Sequence, residues 1–124
     1  MLKSKLEKFN FKAYPKYERQ TMIKHKVLSD YFDKWVKIIG KNHTLTCVDG
    51  FGGKGVYKDK NENIYFGSPI LIAEILENNK HIIKKGAKLI IIEKEYENIE
   101  NLKKVFIKNN LKINPIYLNK DFIS

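Results

Sequence analysis

The chain has 124 residues, 43% hydrophobic and 31% charged, which supplies one core and is too apolar for a disordered segment. No apolar run nears the roughly 20 residues of a membrane span, and no signal-peptide apolar stretch opens the chain. The single cysteine, Cys47, excludes an intramolecular disulfide framework and a cysteine-based zinc site, so the expectation is a soluble cytoplasmic protein.

The net charge is +10, and Arg19 is the one arginine among 24 basic residues. Base-edge readers and bidentate phosphate clamps favour arginine. The 17 isoleucines and 12 asparagines accompany the lysines, which are spread along the whole chain. Composition bias explains the charge better than a selected nucleic-acid stripe, although a basic nucleic-acid binder stays open as an alternative.

In chain order, residues 1–20 read as a basic N-terminal arm, with Pro15 interrupting it. Residues 21–39 place Ile23, Val27, Leu28, Tyr31, Phe32, Trp35, Ile38 and Ile39 in steps of three and four, the stripe of a helix. Thr21 is its expected cap and Gly40 its stop; Tyr31 and Trp35 read as core. Residues 44–48 (TLTCV) are β-branched and read as a buried strand, with Cys47 a small core residue. Residues 50–66 read as a polar loop. Ser68 as cap and Pro69 at the first helical position open an apolar helix. Residues 88–93 (KLIIIE) read as a strand buried on both faces. Residues 95–108 form an amphipathic helix with acids first and lysines last, matching the helix dipole. Residues 115–118 (PIYL) are a third strand. Strands alternating with helices predict a parallel sheet with right-handed crossovers, an α/β fold.

The stretch TCVDGFGGKGVY, residues 46–57, carries the most chemistry. Gly50, Gly52 and Gly55 match G-x-G-x-x-G, but no helical stripe follows Gly55, so the dinucleotide geometry is missing. No Lys-Ser or Lys-Thr pair follows for a P-loop either. D-x-F-x-G-x-G fits better, through Asp49, Gly50, Phe51, Gly53 and Gly55. An acid ends the first strand, and small residues let the backbone approach a ligand. That acid suits a ligand ammonium. A second acid, Glu93, tips the next strand, where it can accept both hydroxyl protons of a ribose. Asp121 follows the third strand, near an adenine, with Phe122 beside it for stacking. All of these lie at the carboxyl ends of parallel strands, where open α/β sheets bind ligands. S-adenosylmethionine carries an amino acid end, a ribose diol and an adenine, so it is the expected cofactor. No metal site is expected. His43 and His81 have no partner spacing and read as surface residues. Lys24 and His25 read as a solvated pair on a polar helix face.

These residues resemble the three-cysteine-motif partner (TcmP) proteins, a bacterial family with a methyltransferase-like fold. Lys24, His25, Leu28, Tyr31 and Trp35 match its first-helix pattern. Val48, Asp49, Gly50, Phe51, Gly53, Gly55 and Tyr57 match its glycine loop, and Gly67, Ser68 and Pro69 match its next helix start. The family loop usually has alanine and proline where this chain has Gly52 and Lys54. The resemblance covers most of residues 21–124 and only the N-terminal half of the family. It implies a Rossmann-like methyltransferase fold, N-terminal half only, dependent on S-adenosylmethionine, with a three-cysteine-motif protein as partner. No methyl acceptor and no catalytic residue are implied.

A substrate half would begin at a fourth strand. The expectation is therefore a truncated, catalytically incomplete segment, or one completed in trans by a partner or by dimerisation. In the expected 3-2-1 order the first strand is a sheet edge, and an apolar edge favours association. A non-catalytic interaction module is the second alternative. The loop at residues 56–67 reads as an insertion over the ligand site or part of a lid.

Overall fold

The computed structural model describes residues 18–50, 52–59 and 61–121. Most of the expected arm lies outside them. Helix α1 spans Arg19–Ile39. It starts two residues before the expected residue 21, and Glu18 rather than Thr21 is its cap, with no side-chain capping hydrogen bond. Gly40 ends it as expected, its N–H donating to Val36 O at 2.8 Å.

Strand β1 (Leu45–Asp49) follows, then β2 (Val56–Lys58) and β3 (Ile64–Phe66), helix α2 (Ser68–Asn78), β4 (Ala87–Ile92), α3 (Tyr96–Lys108) and β5 (Ile116–Leu118). Strands β1, β4 and β5 form a parallel sheet in that order. Asp49 is level with Ile91, and Ile91 with Tyr117. The fold is mixed α/β, and the strand order is the one expected.

The core lies on one face of this sheet. Leu45, Cys47, Leu89 and Ile91 point into it and meet Val36 of α1, Ile70, Ala73 and Leu76 of α2, and Leu102, Val105 and Phe106 of α3. Tyr117 joins from β5, edge-on to Phe106 at 6.4 Å. Both crossovers step the same way along the sheet. Right-handed connections then put both crossover helices on one side. The opposite face is more open, with Val48 51% and Ile116 47% exposed. This corrects the expectation of strands buried on both sides. The continuous apolar run of β4 reflects one core face and one partly covered face: Lys88 is exposed and Ile90 half-buried.

Among the described residues β1 pairs only with β4, so its other side is the sheet edge. An uncharged cleft of about 280 Å³ runs between α1 and this edge, lined by Leu28, Tyr31, Phe32, Trp35, Val48 and Ile72 among others. Tyr31 is 72% exposed there, so it is not core. Its stripe is wider than the strip α1 buries. Trp35 does pack on the core, stacked on Phe32 at 5.7 Å.

The polar loop contains a short antiparallel hairpin. Val56 pairs with Phe66, and both are buried. Asp59 ties the turn: its Oδ1 accepts the N–H groups of Asn61 and Asn63 at 2.9 and 2.8 Å, and its Oδ2 accepts the Tyr65 hydroxyl at 3.1 Å. At the base, Gly67 N–H donates to Gly55 O at 2.7 Å. The insertion is therefore anchored to the core at its root. No described helix is long and apolar enough to cross a membrane.

Candidate functional site

The glycine segment leaves the tip of β1 and crosses over the tip of β4. Gly52 N–H donates to Ile92 O at 3.1 Å. A Cβ at Gly52 would lie 2.6 Å from Ile91 Cγ2, so the backbone lies directly on the core. A side chain here would force Ile91 to shift, so packing favours glycine. Gly53 and Gly55 have φ of +64° and +87°, the left-handed region that glycine adopts without a Cβ penalty. Around Gly53 the space is open, while a Cβ at Gly55 would meet Leu102 Cδ2 at 2.8 Å.

Glu93 directly follows β4 and is only 8% exposed. Its carboxylate fastens the loop. Oε1 accepts Gly53 N–H at 3.0 Å, and Oε2 accepts Glu95 N–H at 2.7 Å and Asn98 Nδ2 at 3.0 Å. The Asn119 side chain donates to the Glu93 and Lys94 carbonyls at 3.1 and 3.0 Å, joining the end of β5 to the same corner. A carboxylate offers about four lone-pair positions. Three are filled here, so Glu93 as it stands accepts one further donor. A ribose diol would engage it through one hydroxyl, or through both if Gly53 N–H gave way. That narrows the sequence expectation of two free acceptor positions.

Asp49 ends β1 and is likewise 8% exposed. Its Oδ2 accepts the Ser68 hydroxyl at 2.5 Å. This corrects the role expected of Ser68: Gly67 is the N-cap of α2, with no side-chain capping bond, and Ser68 turns its hydroxyl to Asp49 instead. Pro69 does sit in the first turn. His25 and Tyr57 complete this corner. Their rings meet edge-on with centroids 5.4 Å apart. Burial lowers the His25 pKa below its ordinary 6.5, with the Asp49 carboxylate opposing. Burial and the same carboxylate raise the Tyr57 pKa, so the phenol stays neutral.

Asp49, Gly53, Gly55 and Glu93 therefore share the carboxyl end of the sheet, with half-buried Gly50 leading into the loop. Phe51 and Phe122 lie outside the described residues. Asp121 is exposed, three positions past the end of β5. His43 and His81 are exposed, as expected. Burial pushes the Cys47 thiol up to about 11, which makes it an inert core group. His25 departs from its expected solvated setting, because the hairpin brings Tyr57 over it. Nothing local in the helix pattern distinguishes it from Lys24, which is exposed. Among the described residues no group of three His, Cys, Asp or Glu side chains is placed to hold a metal ion.

An amino acid ammonium fits an acid held by a neutral hydroxyl, and a ribose hydroxyl fits the remaining acceptor position of Glu93. The left-handed glycines leave backbone exposed between them. Compared with known proteins, the chain matches no family model, no curated sequence and no solved structure.

Proposed function

We propose that this chain is the cofactor-binding segment of an S-adenosylmethionine-dependent, methyltransferase-like protein of the three-cysteine-motif partner kind. The observation that supports it best is the pairing of two buried acids, Asp49 and Glu93, at the tips of adjacent parallel strands with a glycine segment tied to one of them. Asp49 takes the ligand ammonium, Glu93 a ribose hydroxyl, and Asp121 lies toward the adenine. Gly53 and Gly55 let the backbone come close. When bound, the cofactor supplies a sulfonium methyl group, and the role of the chain is to hold and orient it.

Calorimetric titration with S-adenosylhomocysteine tests this, on the wild type, Asp49→Asn and Glu93→Gln. Asp49→Asn keeps an acceptor for the Ser68 hydroxyl, and Glu93→Gln keeps one carbonyl oxygen, enough for either the Gly53 N–H or the Glu95 and Asn98 donors. Each is expected to lose about tenfold or more in affinity, the worth of one charge-assisted hydrogen bond. Equal heats from all three proteins, or none from the wild type, would overturn the assignment.

A second reading, a protein-interaction module that binds no cofactor, is favoured by the uncharged cleft beside β1 in a chain that is 31% charged. It gives no heat with S-adenosylhomocysteine and a stable complex in pull-down. A nucleic-acid binder would instead show affinity falling steeply with salt.

A further inference from the structure

We propose that the open edge of β1, together with the cleft beneath α1, is a docking site for an extended acidic polypeptide segment, which adds to the sheet as a further strand. The surface contains neither Glu93 nor the glycine loop, so the inference stands apart from the cofactor reading.

Among the described residues the sheet has two edges, and they are built differently. β5 is three residues long, directly follows Pro115 and is soon followed by Lys120. Short length, proline and lysine are devices that keep an edge from pairing with another chain. β1 is five residues long, and Leu45, Thr46, Cys47 and Val48 bring neither charge nor proline, although 24 of the 124 residues are basic. Leu45 N–H donates to Gly86 O at 3.0 Å, on the side of β4. Backbone groups alternate sides along a paired strand, so Thr46 and Val48 turn their N–H and C=O groups to the open side. An entering strand finds donors and acceptors there, the recognition mode of strand addition.

α1 packs beside α2 and lends the edge an apolar wall, with Leu28, Tyr31, Phe32 and Trp35 lining the cleft next to Val48. Alternate side chains of an added strand point into that cleft. Ile23, Val27, Tyr31 and Ile38 extend the apolar surface along one face of α1, and each is more than half exposed. Charge then selects the occupant. On the far face of α1, Lys26 pairs with Asp30 at 3.8 Å and Lys37 with Asp33 at 2.8 Å. Lys24, one turn before Val27, and Lys34, one turn after Tyr31, stand on the apolar face instead. Both are exposed, and neither has an ion pair among the described residues. A second copy would bring another net charge of +10 to this face, and residues 1–17 carry five lysines against one acid. An acidic segment complements the two lysines. A nucleic acid would match their charge but leave the apolar cleft and the amide edge unused.

The probe is a displayed library of short linear peptides selected on the full chain, with the best binder resynthesised for titration and for amide hydrogen exchange. Selected peptides are expected to alternate apolar and polar residues and to carry acids. In the free chain the Thr46 and Val48 amides are expected to exchange fast at every protein concentration, while those of Leu45 and Cys47 exchange slowly. Bound peptide is expected to slow Thr46 and Val48 about tenfold or more. Lys24→Glu/Lys34→Glu is expected to weaken the peptide about tenfold. Val48→Pro removes an outward N–H, as edge strands tolerate, and is expected to abolish binding. Selection of no peptide, or of basic peptides only, overturns the inference, as does a peptide that leaves the Thr46 and Val48 amides fast. Slow exchange at these two amides in the free chain overturns it in favour of a cover from within the chain. Protection that rises with protein concentration overturns it in favour of a second copy. Exchange is read on the wild type, so a variant that fails to fold does not remove the test.

Discussion

The two acids at the tips of β1 and β4 are equally buried, yet they are held in different ways. Glu93 accepts two backbone N–H groups and one side-chain amide, so it is a structural fastener as well as a ligand candidate. Asp49 accepts a serine hydroxyl, and the edge-on pair of His25 and Tyr57 lies at the same corner. A strand-end carboxylate is one sequence pattern with two jobs. Backbone partners make an acid part of the fold, whereas side-chain partners leave it adaptable to a ligand.

The contrast is broken most readily by removing each acid in turn. Glu93→Ala leaves the Gly53 and Glu95 N–H groups without their acceptor and is expected to cost about 2–4 kcal/mol. Asp49→Ala removes the acceptor of the Ser68 hydroxyl, which can rotate to another acceptor, and is expected to cost less, about 1 kcal/mol. Urea denaturation of both variants checks this, and equal losses would erase the distinction.

The loop sharpens the same comparison. Gly52→Ala drives a Cβ into Ile91 and is expected to cost about 1–3 kcal/mol by overpacking. Removing the clashing Cγ2 in Gly52→Ala/Ile91→Ala should recover part of that loss, so that the pair costs less than the sum of the two single substitutions. Gly53→Ala meets no side chain and is expected to cost about 1 kcal/mol through its left-handed backbone alone. Ile91→Ala should not rescue it, and the two costs should add. Rescue of both, or of neither, would show that the loop does not rest on β4 as described.

The smallest expected effect is a pH dependence. The folded His25 has a lowered pKa, while the unfolded chain titrates near 6.5. Below that value the unfolded state holds more protons. The His25 contribution is therefore complete above 6.5 and is lost as pH falls from there through the lowered folded value. Denaturation midpoints across this window should fall in the wild type and fall less in His25→Gln. Identical slopes would place His25 in ordinary solvent.

Much of the framework was legible because it follows from periodicity. The stripe of α1, the β-branched β1, the isoleucines of β4 and the polarity of α3 each fix an element from neighbouring residues. The hairpin was not legible: its strands have three residues each, and Lys58, Asp59 and Asn63 dominate the composition. Val56 and Phe66, paired across it, are buried in the core and Ile64 packs against it, too few apolar positions to show a strand period. Asp49 and Glu93 could be placed at strand ends from sequence, but their partners could not. Ser68 is a good capping residue by type, and only the tertiary fold turns it to Asp49. Likewise His25 acquires its setting from Tyr57, 32 positions away in the chain.

The most direct measurement is amide NMR during titration with S-adenosylhomocysteine. The account predicts the largest shifts at Gly53, Gly55, Glu93 and Glu95, with smaller ones around His25 and none at Gly86 on the opposite end of the sheet. Shifts confined to the cleft around Trp35 and Val48, or no shifts at any concentration, would contradict it.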